Sequence, residues 1–176
     1  MKVLGIDPGL NITGYGLIES GTSRFRLLEA GVIRTSAGMP IQDRLRRIYD
    51  NLAEIIEEYR PDTVALEKIY SHYRHPVTAL LMGHARGVIC LLCGKYNINL
   101  ASYASTRLKK SISGRGRAGK RQVAGMVQNF LGLKKPPRPE DVTDALAIAI
   151  SHLNITGRGR KLRGKRRVFI SASRLG

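Results

Sequence analysis

The run Val3-Leu4-Gly5-Ile6-Asp7-Pro8-Gly9 sets the terms for the rest of the chain. Three of its first four residues are apolar, which predicts a buried strand, and Pro8-Gly9 forces a turn directly after Asp7. A carboxylate at the end of a buried strand is desolvated. That costs free energy unless a metal ion or another cation compensates it. A turn aspartate capping its own backbone would explain Asp7 taken alone. The choice turns on whether other carboxylates reach the same place.

Thr63-Val64-Ala65-Leu66-Glu67 repeats the pattern: a short buried strand that ends in an acid. If the two strands are parallel neighbours, Asp7 and Glu67 leave the sheet at its C-terminal edge, where open α/β sheets bind ligands. Pro136-Pro137-Arg138-Pro139 then breaks the chain, and Glu140–Ile150 predicts a mostly apolar helix. Asp141 and Asp144 are i,i+3 and share one face of it. A first-turn acid complements the helix dipole, which would account for Asp141. Asp144 lies a turn further in, on a helix too apolar to be solvated, and calls for a cation. Four carboxylates with no His or Cys required suit magnesium or manganese. Such clusters, holding two ions ~3.5–4 Å apart, cleave phosphodiesters.

The remaining elements follow from periodicity. Tyr15–Glu19 and Phe25–Thr35, separated by Ser20-Gly21-Thr22-Ser23, are expected to make an antiparallel meander with the first strand. Ile41, Leu45, Ile48, Leu52, Ile55, Ile56 and Tyr59 recur at spacings of three and four, an amphipathic helix ended by Pro61. Pro76 opens a helix over 77–95 that is apolar on most sides and must be buried; a partner subunit is one way to do it. Ile98–Ala104 predicts a fifth strand, and Val123, Val127 and Phe130 a further helix. Cys90 and Cys93 lack the second ligand pair that a zinc site needs and are expected as core thiols.

Charge is distributed unevenly. Residues 1–70 carry nine Lys/Arg against ten Asp/Glu, a net −1, whereas residues 71–176 carry 21 against three, a net +18. A one-sided basic field of this size points to a polyanion, most often nucleic acid. Tyr70 and Tyr73 lie among Lys68, His72, Arg74 and His75, a mixture that suits base stacking and phosphate contact as well as it suits ordinary surface tyrosines. His72 and His75 do not have a recognised metal spacing. Residues 105–121 hold Arg107, Lys109, Lys110, Arg115, Arg117, Lys120 and Arg121. Within them Gly114-Arg115-Gly116-Arg117-Ala118-Gly119-Lys120 nearly begins a P-loop. Arg121 stands where Ser or Thr must bind magnesium and no apolar strand precedes Gly114, so a nucleotidase is rejected. A mobile Gly/Arg loop on a phosphate backbone is expected instead. A chain of 176 residues predicts one domain, here 1–154, with residues 155–176 as a flexible basic tail. The opening apolar run is too short for a signal peptide, and no transmembrane run is evident, so a cytoplasmic location is expected.

Taken together, these motifs resemble the RuvC family of Holliday junction resolvases, within the ribonuclease H-like superfamily. The resemblance rests on Gly5-Ile6-Asp7-Pro8-Gly9, on Glu67 followed by aromatic Tyr70, and on Gly83-His84-Ala85-Arg86-Gly87. It rests also on Lys109, Lys120 and Asp141-Val142-Thr143-Asp144-Ala145-Leu146-Ala147-Ile148-Ala149. It spans about residues 1–154. The resemblance implies a ribonuclease H-like α/β fold: a five-stranded mixed sheet, three strands antiparallel and two added in parallel, flanked by helices. It also implies a magnesium-dependent endodeoxyribonuclease of recombination and repair, acting as a homodimer that nicks two opposed strands of a four-way junction. Asp7 would bridge two Mg2+ ions (Mn2+ being the alternative), Glu67 and Asp141 would complete them, and Asp144 would help orient water. Tyr70 would stack at the junction centre, and Lys109 and Lys120 would contact the phosphate near the cut. A branch-migration helicase complex of the RuvA and RuvB type is the implied partner, and the nucleoid the implied place of work. The chain departs from the family in having Tyr70 for the commoner Phe and in its strongly basic tail.

Two other classes compete. A non-catalytic basic protein binding nucleic acid would explain the charge but not four converging acids. An actin-like phosphotransferase shares a first strand ending Gly-x-Asp-x-Gly, but such folds duplicate the domain and need a longer chain.

Overall fold

The computed structural model describes residues 1–21, 24–68, 76–114 and 116–157. Strands β1 (Lys2–Asp7), β2 (Ile12–Ser20), β3 (Phe25–Arg34), β4 (Thr63–Glu67) and β5 (Asn99–Tyr103) form one sheet in the order β3-β2-β1-β4-β5. The β1–β2 and β2–β3 pairs are antiparallel; β1–β4 and β4–β5 are parallel. Helices α1 (Ile41–Tyr59), α2 (Pro76–Lys95), α3 (Ser105–Ser113), α4 (Lys120–Leu131) and α5 (Glu140–Ile155) cover the two faces. This is the five-stranded mixed sheet that the sequence predicts, with the ribonuclease H-like order.

Side-chain alternation along the strands divides the core. Leu4, Ile6, Val64 and Leu66 pack with Ile48, Leu52 and Ile56 of α1 and with Ala85, Ile89 and Leu92 of α2. Val3 and Ala65 pack on the opposite face with α3, α4 and α5. Period two then carries Gly5 and Asp7 of β1, and Glu67 of β4, to the α5 side.

Helix α5 lies against β1 and β2 at unusually short range, and glycines make that possible. A Cβ on Gly5 would fall 2.1 Å from the Ala145 carbonyl oxygen, and one on Gly14 would fall 2.2 Å from the Asp141 carbonyl oxygen. No side chain fits in either gap. Apolar burial of Val142, Leu146, Ile150 and Leu153 supplies the adhesion, and the glycines set the depth.

Four points need correction. Cys90, expected as a core thiol, is exposed, and only Cys93 of the pair is buried. Strand β2 begins at Ile12 rather than Tyr15, because Gly14, a weak strand former by composition, pairs with Asp7 across the ladder. Residues 105–113, a basic stretch to which periodicity assigns no element, form α3, whose buried face is only Leu108 and Ile112, one turn apart among cations. Finally, among the described residues one helix, Val77–Lys95, is long and apolar enough to cross a membrane, with a mean hydropathy of 1.6. Thr78, His84 and Arg86 interrupt that run without much lowering its mean, so a search for uninterrupted apolar residues passes over it. Length and composition are weak evidence of a span, and Ala85, Ile89, Leu92 and Cys93 of this helix are buried in the core.

Candidate active site

The register places the first two acids side by side. Ile6 of β1 pairs with Leu66 of β4, so Asp7 and Glu67 are the next residues outward on adjacent parallel strands. Asp7 is opposite Gly14 of β2, and Gly14 is where the first turn of α5 touches the sheet through Asp141. Asp144, one turn on, precedes Ala145, the residue seated over Gly5. The close approach of helix to sheet thus brings acids from three elements to one edge.

A cleft of about 220 Å³ opens at that edge. Asp7, Glu67, Asp144, Lys109 and Lys120 line it, over an apolar floor that includes Leu108, Ile112, Val123 and Ile148. Asp141 stands beside Asp7, near enough for its charge to act there, but does not line the cleft. Lys110, Arg117 and Arg121 are exposed on α3, on the connection after it and on α4, outside the cleft lining. Tyr70, Tyr73, Arg74 and Arg115, and the tail from residue 158, lie outside the described residues.

Electrostatics at the edge are those of crowded acids. Asp7 is pushed up from 3.8 to about 6, chiefly by burial and then by the charges of Asp144, Glu67 and Asp141, with Lys120 opposing. Burial also raises Asp144; there too Lys120 opposes, while Glu140, Asp141 and Glu67 add to the rise. Lys120 donates to Glu140 at 2.7 Å, and that bond is the main reason its own value is raised. Among the described residues no three Asp, Glu, His or Cys groups are close enough to form a ready cage for an ion. The donor set nonetheless fits a hard divalent cation: every candidate ligand is a carboxylate, and a cation between them would offset the burial and the repulsion that lift Asp7.

Sequence reasoning missed three features here. Glu140, named only as the first residue of the last helix, is the partner of Lys120. Arg86 of α2 reaches the end of β4. The glycines that admit α5 do carry a signal, Gly5 two residues before Asp7 and Gly14 and Gly16 spaced by two along β2, but a signal legible only once a helix is known to lie there.

The family pattern described as crossover junction endodeoxyribonuclease RuvC matches residues 3–152. The chain belongs to the RuvC family. A RuvC relative from Alkaliphilus oremlandii is 47% identical over 152 residues, covering 86% of this chain and 92% of that protein. One from Pelotomaculum thermopropionicum is 43% identical, over 94% of this chain and the whole of that protein. The structure of Thermus thermophilus RuvC superposes with a TM-score of 0.84 at 35% identity, over 90% of this chain and 97% of that one. The same RuvC in complex with Holliday junction substrate gives 0.85 at 36% identity, over 90% and 96%. The activity to be explained is therefore that of a RuvC-type nuclease, a hydrolase of DNA phosphodiesters.

Proposed function

We propose that this chain resolves four-way DNA junctions as a homodimer, each subunit hydrolysing one phosphodiester with divalent metal ions held by Asp7, Glu67, Asp141 and Asp144. The observation that carries the reading is the convergence of these acids, from β1, β4 and α5, beside Lys109 and Lys120 at one edge. Two magnesium ions bound there would activate water and stabilise the leaving oxygen. Manganese has the same donor preference. Asp7, the most strongly raised of the acids, is central to the set. Asp144, on the helix, would orient the attacking water. Lys120 and Lys109, which line the same cleft, would offer positive charge to the phosphate. Tyr70 and Tyr73, with Arg74, follow Glu67 within seven residues and would meet the junction centre, Tyr70 by stacking on a base. Lys110, Arg115, Arg117 and Arg121 would bind flanking phosphates.

The dimer reading rests on α2. Val77, Leu80 and Leu91 of this helix are 66%, 66% and 62% exposed while its other side is in the core. A second copy of the same face would bury them. Leu80→Glu combined with Leu91→Glu should therefore shift the protein to monomer in solution, and an oligomeric state unchanged by both would leave this face without that role. A cytoplasmic, nucleoid-associated site of action and a branch-migration helicase complex of the RuvA and RuvB type complete the proposal. In it residues 1–154 are the nuclease domain and 155–176 a basic appendage.

The deciding experiment is nicking of a synthetic four-way junction with and without Mg2+. Wild-type protein should make paired, symmetric nicks only with the metal, and Glu67→Gln should bind the junction and fail to cut. Binding without any metal-dependent nicking would favour the non-catalytic nucleic-acid-binding alternative.

A further inference from the structure

Arg86 has no role in the chemistry described so far, yet it touches the catalytic edge. From α2 its Nη1 donates to the backbone carbonyl of Glu67 at 2.9 Å, and its Nη2 donates to Ser102 Oγ at 2.7 Å. These acceptors lie on neighbouring parallel strands, at the last residue of β4 and near the last of β5. The ladder between β1 and β4 has already stopped, at Ile6 and Leu66. The Glu67 carbonyl is thus at the frayed end of its strand on the β1 side. A half-buried guanidinium spending both arms on neutral acceptors, with no ion pair among the described residues, is an expensive way to end a strand. Its rigid planar fork presents two donors at a fixed spacing, which suits it to bridging two fixed acceptors on different strands.

We propose that Arg86 is a positioning residue for Glu67: a two-point clamp from α2 that fixes the C-terminal end of β4 against β5 and so fixes the direction in which the Glu67 carboxylate leaves the sheet. The inference rests on the reading of Glu67 as a metal ligand. Losing the clamp leaves the middle of β4 in its ladder, while the terminal peptide of Glu67 and Lys68 gains freedom. Among the described residues, the bond from Lys68 N–H to Tyr103 O, at 2.8 Å, then holds the strand end.

The test compares wild type, Arg86→Gln, Arg86→Lys and Glu67→Gln. Amide hydrogen exchange is followed along β4, Mg2+ binding by calorimetry without DNA, and cleavage of a four-way junction. Arg86→Gln should speed exchange at Lys68 about tenfold or more while Val64 to Leu66 stay protected, weaken Mg2+ binding, and slow cleavage about tenfold or more, with junction affinity kept. Arg86→Lys should restore it only in part, because an ammonium on a flexible stem does not hold two donors at the fixed spacing of a guanidinium. Exchange rising uniformly along β4 would mean that Arg86 only supports the fold. Full rescue by Arg86→Lys would mean that charge suffices. Either result, or a Lys68 amide unaffected by Arg86→Gln, overturns the clamp. If Glu67→Gln cleaves like wild type, the metal-ligand reading fails instead, and the Lys68 exchange still reports on the clamp separately.

Discussion

Gly5 of β1 and Ala145 of α5 meet with no room for a methyl group between them: a Cβ on Gly5 would stand 2.1 Å from the Ala145 carbonyl oxygen and 2.7 Å from the Ala149 backbone nitrogen. The obstruction is backbone on both counts, so no side-chain rotation relieves it. Because Asp144 directly precedes Ala145 and Asp7 lies two residues beyond Gly5, this packing fixes how far the helix acids stand from the strand acids.

Gly5→Ala should therefore cost both stability and metal binding. Overpacking of this kind costs about 1–3 kcal/mol, and a backbone clash belongs at the upper end. Urea unfolding gives the stability loss, and calorimetry gives Mg2+ affinity under conditions where the variant is folded. A variant as stable as wild type would show that α5 can lift off the sheet freely, and the glycine seat would then not set the site.

Much of this arrangement is legible in the sequence because it is local. The strands ending at Asp7 and Glu67 and the bounds of α1 follow from apolar spacing and from Pro8 and Pro61. The i,i+3 spacing of Asp141 and Asp144 is a property of the helix alone. What escapes is tertiary. Helix α3 buries only Leu108 and Ile112 in nine residues, too few for a periodic signal against three Lys/Arg. The Arg86 hydrogen bonds join residues 16 and 19 positions apart through side-chain geometry, which no local pattern encodes. Glu140 acquires its significance only from where α4 places Lys120.

The raised Asp7 predicts an inverted pH response for the metal-free protein. Its folded pKa, about 6, lies above the unfolded value of 3.8, so the folded state holds this proton more tightly. The penalty from Asp7 is fully present above about pH 6 and is relieved as pH falls toward 4. A shift of that size corresponds to about 3 kcal/mol at most. Asp7→Asn removes the ionisation, so with chelator present it should be more stable than wild type at pH 7.5, and the difference should shrink by pH 4.5. Saturating Mg2+ should reverse the order, since wild type alone keeps the ligand. Paired urea titrations at the two pH values decide it: an Asp7→Asn protein no more stable at pH 7.5 would contradict the crowding.

Lys120 and Glu140 form an exposed pair, at 76% and 55% side-chain exposure, so the bond itself contributes little to stability. Its effect should appear in DNA binding. Glu140 competes with a phosphate for Lys120 and adds negative charge at the mouth of the cleft. Glu140→Gln should leave the unfolding midpoint unchanged within error and tighten junction binding a few-fold at low salt, the gain shrinking as salt rises. Fluorescence anisotropy across a salt series measures this. Weaker binding in Glu140→Gln would mean that Glu140 holds Lys120 in its working position rather than competing for it.

Residues 157–176 carry eight Lys/Arg and no acid, and nothing in their order has a helical or strand period. Such a segment neutralises phosphates without reading shape. Deleting it should weaken binding to linear duplex and to the four-way junction alike, and flatten the salt dependence of both. Each phosphate that is no longer neutralised reduces the slope of log affinity against log salt by roughly 0.9, so the change in slope reports how many phosphates the tail engages. Cleavage at saturating protein should survive, because every proposed metal ligand lies at or before Asp144 and α5 ends at Ile155, inside the truncated chain. The measurement is affinity for both DNAs over a salt series, full-length against truncated. A truncation that lost junction binding while keeping duplex binding would show that the tail distinguishes structure, and the purely electrostatic account of it would have to be abandoned.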